Sequence, residues 1–237
     1  MEVPAPSREQ EISRTEVLAF CELILTDSGM HLALAHVHRL LEHGVSMRRI
    51  YAELMTPAAR ELGAGWDTDR WDFSQVSHGL LVLQSLLQDL SAEWRAGHHE
   101  APDARRILLM PVPGSQHTFG LLMIAELFRL EGWSVWAEPV PSVREVVELV
   151  RNRWFDVVGF SIGTQAQANS ARSAILLVRK QSSNRRVKVM VGGPAIHADP
   201  SLGKWLYADM IAGDGTTAVA VAEQLAAESR QLLPEPN

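Results

Sequence analysis

Gly114-Ser115-Gln116-His117-Thr118-Phe119-Gly120 sets an imidazole between glycines, directly after the apolar run Ile107–Val112 and before the apolar stretch Leu121–Leu130. A histidine at such a strand-to-helix turn, with side-chain bulk cleared around it, can reach a large flat ligand resting on a sheet edge. Further small-residue landmarks follow. Forty residues separate Gly120 from Ser161-Ile162-Gly163, and 28 more separate Gly163 from Gly192-Gly193; Gly213-Asp214-Gly215 comes later. Each has a plainer use when taken alone: a glycine after a strand makes the turn, and a serine there caps the next helix. Their joint placement is what suggests a ligand.

From Arg105 onward, strand-like and helix-like patterns alternate. Strands are expected over Arg106–Val112, Ser134–Glu138, Val157–Ile162, Lys188–Val191 and Met210–Ala212. Between and after them, helices are expected over Phe119–Leu130, Val143–Arg153, Gln167–Lys180, a short piece near Leu202–Leu206, and Thr216–Ala227. Alternation of this kind implies a parallel sheet covered on both faces, here a flavodoxin-like, doubly wound, five-stranded sheet of order 2-1-3-4-5. His117, Ser161, Gly192-Gly193 and Gly213 to Gly215 then all fall along the carboxyl edge, where such sheets bind ligands.

The preceding residues read as helices only. Glu16–Leu25 and Gly29–His43, the latter ended by Gly44, carry apolar stripes. Ser46 suits an N-cap for a helix over Arg48–Leu62, stopped by Gly63 and bent or broken by Pro57. A final helix runs from Asp72 or Phe73 to Trp94, with Val76, Leu80, Leu83, Leu87 and Leu90 on one face. The expected architecture is therefore α plus α/β: a four-helix bundle over residues 8–95, the polar linker Arg95–Ala104, and the sheet domain over 105–228. His98-His99-Glu100 could suggest a metal string, but without a second cluster it reads as solvated loop.

Composition narrows the function. The 237 residues are 46% hydrophobic and 21% charged, ordinary values for a globular protein. A net charge of −6 and a pI near 5.8 argue against direct nucleic-acid binding. One cysteine, Cys21, excludes an intrachain disulfide and reads as a small buried apolar residue. Neither a membrane span nor a signal peptide is legible, so a cytoplasmic protein is expected, monomeric or weakly self-associating. Several occupants of the fold are excluded. Phe160 to Gly163 offers no phosphorylatable aspartate, and there is no Gly-x-Gly-x-x-Gly and no Gly-x-x-x-x-Gly-Lys-Ser/Thr. Only Ser115 and Thr118 would suit a flavin phosphate loop. No nucleophile–base set stands at neighbouring strand ends, so an enzyme is not expected.

Residues 105–228 resemble the cobalamin-binding domain of methionine synthase and corrinoid mutases. That family carries Asp-x-His-x-x-Gly, Ser-x-Leu and Gly-Gly at nearly the separations found here. The resemblance implies that His117 is the lower axial ligand of cobalt, that Ser161 contacts the displaced nucleotide tail, and that Gly192-Gly193 let the tail pass close to the backbone. Ser115, Gln116, Thr118, Phe119, Gly120, Gly163, Thr164, Gly213 and Gly215 would line the same edge. One departure matters. Ser115 replaces the aspartate that normally accepts the second ring N–H, and an uncharged acceptor implies a weaker, more switchable ligand.

The helical half is similar to the caps of cobalamin photoreceptor regulators, through Leu62-Gly63-Ala-Gly-Trp66, Asp69, Trp71, Phe73, Val76-Ser77 and Leu80 to Gln84. The Glu-His pair of the CarH type is missing in register; Val76-Ser77 stand there, followed by His78. Trp66 to Gln84 and Gln116 to Met123 look closest to the AerR/PpaA antirepressors, relatives of the haem- or cobalamin-binding domain of AppA. Trp66, Trp71, Phe73 and His78 are accordingly candidates for the upper face. Tryptophans in such proteins mostly fill cores or interfaces, and His78, beside leucines, also suits a hydrogen-bonded core residue. His31, His36, His38, His43 and His197 form no pattern that demands metal. The resemblance implies a light-responsive regulator, binding adenosyl-, methyl- or hydroxocobalamin between bundle and sheet, and acting on a PpsR/CrtJ-type transcription factor. A corrinoid methyl carrier and a haem sensor on the same scaffold are the alternatives.

Overall fold

The computed structural model describes residues 12–112, 119–137 and 142–231. The chain forms two compact units that divide between His98 and His99.

In the first unit, α1 (Arg14–Ile24) and α2 (Gly29–Glu42) pack together, and α5 (Phe73–Ala96) packs on both. The remaining rod is α3 (Met47–Arg49), a π-helical turn (Ile50–Met55) and α4 (Thr56–Asp67), running without interruption. Caps set the ends. Ser13 Oγ accepts from Glu16 N–H, Ser46 Oγ accepts from Arg49 N–H, and Asp72 with Gln75 closes a reciprocal capping box. Gly44, at φ +85°, ends α2 in a conformation that L side chains resist. The core side of α5 consists of Val82, Leu83, Leu86, Leu87 and Leu90, whereas Val76 and Leu80 are only half buried. Cys21 is buried against the Ala58 carbonyl; burial, with nearby Glu61, pushes its thiol up to about 12, so it stays protonated.

Two expectations about this rod fail. Pro57 does not break the helix, because the turn before it widens. Tyr51 O accepts both Thr56 N–H and Thr56 Oγ1–H, five residues on, and the extra residue relieves the clash between the proline ring and the preceding turn. Nor does Gly63 stop the helix. It sits exposed inside α4, which ends only where Asp69 takes φ +55° and Arg70 and Trp71 donate back to Gly65 O. Gly65 is the residue that must be glycine: a Cβ there would lie 2.1 Å from the Trp71 ring.

In the second unit, β1 (Arg106–Pro111), β2 (Ser134–Trp136), β3 (Val157–Ser161), β4 (Lys188–Gly192) and β5 (Met210–Ile211) form one parallel sheet of order β2-β1-β3-β4-β5, as expected. α6 (Phe119–Leu130) packs with α11 (Gly215–Gln231), and α7 (Val143–Asn152) packs with α8 (Ala168–Gln181). A 3₁₀ turn, Gln165–Gln167, precedes α8; α9 (Pro194–Ala198), unforeseen in the sequence, and α10 (Leu202–Trp205) bridge β4 to β5. One core joins Val146 and Val150 of α7, Ile175 and Val178 of α8, the strand valines, and Ile196 and Leu206. Trp133 is buried too, its Nε1–H donating to Glu223 at 2.8 Å. Yet Trp66, Trp154 and Trp205 are exposed and only Trp71 and Trp133 are fully buried, so tryptophan here is mainly not a core residue.

Two stability predictions follow from the bundle. Gly65→Ala should destabilise by about 1–3 kcal/mol through overpacking against Trp71, while Gly63→Ala, with open space around it, should stabilise by roughly 0.5–1 kcal/mol; chemical denaturation of the two variants checks the opposite signs. The second concerns His36. Its Nδ1 accepts from Arg39 at 2.8 Å, and its Nε2 is buried without a hydrogen bond. Burial first, then the Arg39 cation, hold its pKa below 6.5, against a weaker pull from Glu16. The unfolded chain therefore takes up this proton first, and stability is lost as pH falls below 6.5 toward the folded pKa. His36→Gln should flatten that part of a thermal-stability profile against pH.

Candidate functional site

The strand register sets the floor of the site. Pro111, Ser161 and Gly192 pair across β1, β3 and β4, so three neighbouring strands end at one level. Val112 N–H donates to Ser161 O (3.2 Å) and Ile162 N–H donates to Gly192 O (2.9 Å), carrying the pairing one residue further. β1 leads into α6 on the α11 face, whereas β3 leads into α8 on the α7 face. The helices that follow β1 and β3 thus lie on opposite faces, which makes β1/β3 the switch point, the place of the crevice at which α/β sheets take their ligands.

Ser161 is half buried at this crevice. Beside it, Gly193 has φ +99°, and a Cβ there would lie 2.7 Å from Ile162 O, 2.8 Å from Ile162 N and 3.0 Å from Ser161 Oγ. A Cβ on Gly192 would lie 3.0 Å from Ala212 O. The space cleared by Gly192-Gly193 is thus taken up by neighbouring backbone, which draws β3, β4 and β5 together at their ends. Gly215 is similar: its Cβ would meet Leu127 at 2.9 Å, so its smallness serves α11–α6 packing. Among the described residues, by contrast, nothing lies within 4 Å of a Cβ on Gly120, and only Thr217 Oγ1, at 3.7 Å, on Gly213. Phe119 opens α6, half buried. Ser115, Gln116, His117 and Thr118 lie outside the described residues.

The loop after Ser161 is held by a residue that sequence reading missed. Gln167 Oε1 accepts from both Gly163 N–H (3.0 Å) and Thr164 N–H (3.2 Å), and Thr164 returns a side-chain cap to Gln167. Thr164-Gln-Ala-Gln167 is a Thr-x-x-Gln capping box, a signal that was legible. Thr164 therefore serves the local backbone, and Gly163 keeps its position at the crevice without a side chain.

In the first unit, the four candidates separate. Trp71 is buried, with Arg70 stacked over it at 4.4 Å, and braces the turn that ends α4. His78 Nε2–H donates to Thr26 O at 3.2 Å, which ties α5 to the end of α1. Trp66 and Phe73 remain exposed, 47% and 71%, and meet edge to face at 5.9 Å. Two adjacent uncovered rings stand out on a small bundle, where exposed apolar clusters are uncommon. Among the described residues, no helix is long and apolar enough to cross a membrane.

The loop geometry can be tested directly. Gln167→Ala should leave two backbone N–H groups without their acceptor and destabilise by about 1–2 kcal/mol. Hydrogen exchange at Gly163 and Thr164 should accelerate while the amides of β1 stay protected.

Against known proteins, the B12 binding domain family matches residues 105–223, half of the chain, including all five strands. An uncharacterised 20.5 kDa protein of the bchF-crtJ intergenic region of Rhodobacter capsulatus is 26% identical over 170 residues, covering 72% of this chain and 88% of the relative. The monomethylamine corrinoid protein of Methanosarcina barkeri shares the fold, with a TM-score of 0.72 at 14% identity over 90% of this chain and 100% of that one. A corrinoid fits the described residues. Beside Pro111 the strand-end row carries only Ser161 and Gly192, and among the described residues nothing crowds a Cβ at Gly120 or Gly213. None of these likenesses supports haem. From its strand-end row and this match over the sheet unit, the chain belongs to the B12 binding domain family.

Proposed function

We propose that this chain is a cobalamin-binding regulator, not an enzyme, which relieves repression by a PpsR/CrtJ-type transcription factor in response to light. The carrying observation is the strand-end row of Ser161 and Gly192-Gly193, with Gly213 open beside it, inside the segment that matches the B12 binding domain. The regulatory half is supported by the relative encoded in the bchF-crtJ intergenic region and by the resemblance to AerR/PpaA antirepressors.

In this reading His117 would hold cobalt through a ring nitrogen, and Ser115 would be the uncharged acceptor for the other ring N–H. Without a carboxylate, that second contact polarises the imidazole less, so the ligand is easier to release. Ser161 donates to the nucleotide tail. Gly163, held by Gln167, keeps the tail's path free of side chains. The exposed Trp66–Phe73 pair is the aromatic feature of the first unit that belongs to this reading. Cobalamin, when bound, would supply a coloured cobalt centre whose ligands can exchange. A signal follows only where its forms bind the protein unequally, because an equilibrium shifts by differential affinity alone.

The test is titration of purified apo-protein with hydroxocobalamin and with adenosylcobalamin in the dark, followed by illumination. Wild type should shift the visible spectrum of at least one form, and His117→Ala should weaken uptake by about tenfold or more and abolish the ligand-dependent band. Trp66→Ala should weaken uptake less, with the band retained. Absence of any shift, or binding by His117→Ala equal to wild type, overturns the assignment. Release of a PpsR/CrtJ-type repressor from its operator by the loaded protein, altered by light, tests the regulatory half.

A further inference from the structure

At the amino-terminal end of the sheet, opposite to Ser161 and Gly192, α8 and the turn between α10 and β5 form an exposed block of rings and cations. Arg172, Leu176 and Arg179 lie on one face of α8 at helical spacing. The Arg172 guanidinium covers both Trp205 and Tyr207, 4.8 and 4.9 Å from their ring centres, and its NH2 donates to Tyr207 Oη at 3.0 Å. Tyr207 has φ +59°, a conformation that L side chains resist. Arg179 holds it there by donating to Tyr207 O at 2.7 Å and to Asp209 at 2.8 Å. Trp205, Tyr207 and Leu176 nevertheless remain 42%, 50% and 44% exposed. Between them runs an open groove of about 410 Å³, lined by Leu176, Arg179, Lys204, Tyr207, Ala208 and Asp209.

The charge of this face opposes that of the whole chain. Arg172, Arg179 and Lys204 stand on it against Asp209, and no aspartate or glutamate occurs in Val157–Ala198, the stretch that contains α8. The chain as a whole carries −6. Arginine and ring side chains, already ordered before binding, are the usual energetic centres of protein interfaces. Stacking of nucleic-acid bases is disfavoured, because Arg172 already occupies the ring faces and the net charge repels phosphate.

We propose that this face docks an acidic, amphipathic segment of a partner protein. An apolar side chain of that segment enters the groove between Leu176 and Tyr207, and its carboxylates meet Arg172 and Lys204. The proposal does not depend on which cofactor the sheet binds.

Fluorescence anisotropy of the full-length chain tests it, with three labelled probes: a helical-repeat peptide of glutamate and leucine, the same peptide with glutamine for glutamate, and a thymidine oligonucleotide. The glutamate peptide should bind about tenfold or more tighter than either other probe, and more weakly as salt rises. Lys204→Glu and Leu176→Arg, both at exposed positions, should each reduce its affinity by about tenfold, with thermal stability unchanged. Arg172→Ala should reduce it further. Equal binding of all probes, preference for the oligonucleotide, or variants that bind like wild type would each overturn the proposal. So would a homodimer, seen by sedimentation, that Leu176→Arg dissolves, because the occupant would then be a second copy.

Discussion

The closeness of β3 and β4 at their carboxyl ends is the constraint on which the strand-end row depends. Gly193 lies against the backbone of Ile162 and the hydroxyl of Ser161, at distances no Cβ could share. With φ +99° it also turns the chain so that Ala195 N–H reaches Ile162 O at 3.0 Å and α9 begins at once. A larger residue would push β4 away from β3 and carry Gly192 out of register with Ser161. The site's smallness is thus first a packing requirement of the sheet. Among the described residues, open space is left instead at Gly120 and Gly213.

A comparable substitution of ring for side chain orders the bundle. Trp71 fills the place that a Cβ on Gly65 would occupy, and the turn between them folds back through Arg70 N–H and Trp71 N–H onto Gly65 O. Because Trp71 faces inward, Trp66 and Phe73 on either side of the turn face out and meet each other. One aromatic residue is spent on the core so that two can be displayed. The π turn before Pro57 keeps the rod continuous, so the display sits at the end of one long element.

Much of the fold was legible in the sequence. Period and punctuation located every strand and the main helices, because apolar runs of strand length alternate with amphipathic segments, and Ser46, Asp72 and Gly44 act locally. Gln167 was also legible as the last residue of a Thr-x-x-Gln box. Pro57 and Gly63 misled because their local cost is small beside the burial of Ile50, Leu54, Met55, Ala58 and Leu62 on one core. The tryptophans misled for a different reason: their size favours burial on average, but exposure depends on what lies opposite, which no local pattern encodes. The short α9 had no periodicity to reveal it.

The sequence by itself determined the element order, the small residues at the strand ends, and the spacing of His117, Ser161 and Gly192-Gly193, since these depend on neighbours along the chain. Only the tertiary structure decided which glycines are filled by protein and which face open space. It likewise decided that Trp71 braces while Trp66 displays, and that Arg172, Trp205 and Tyr207 come together from separate elements. Those outcomes rest on contacts between residues distant in sequence, and close packing allows each such space one occupant.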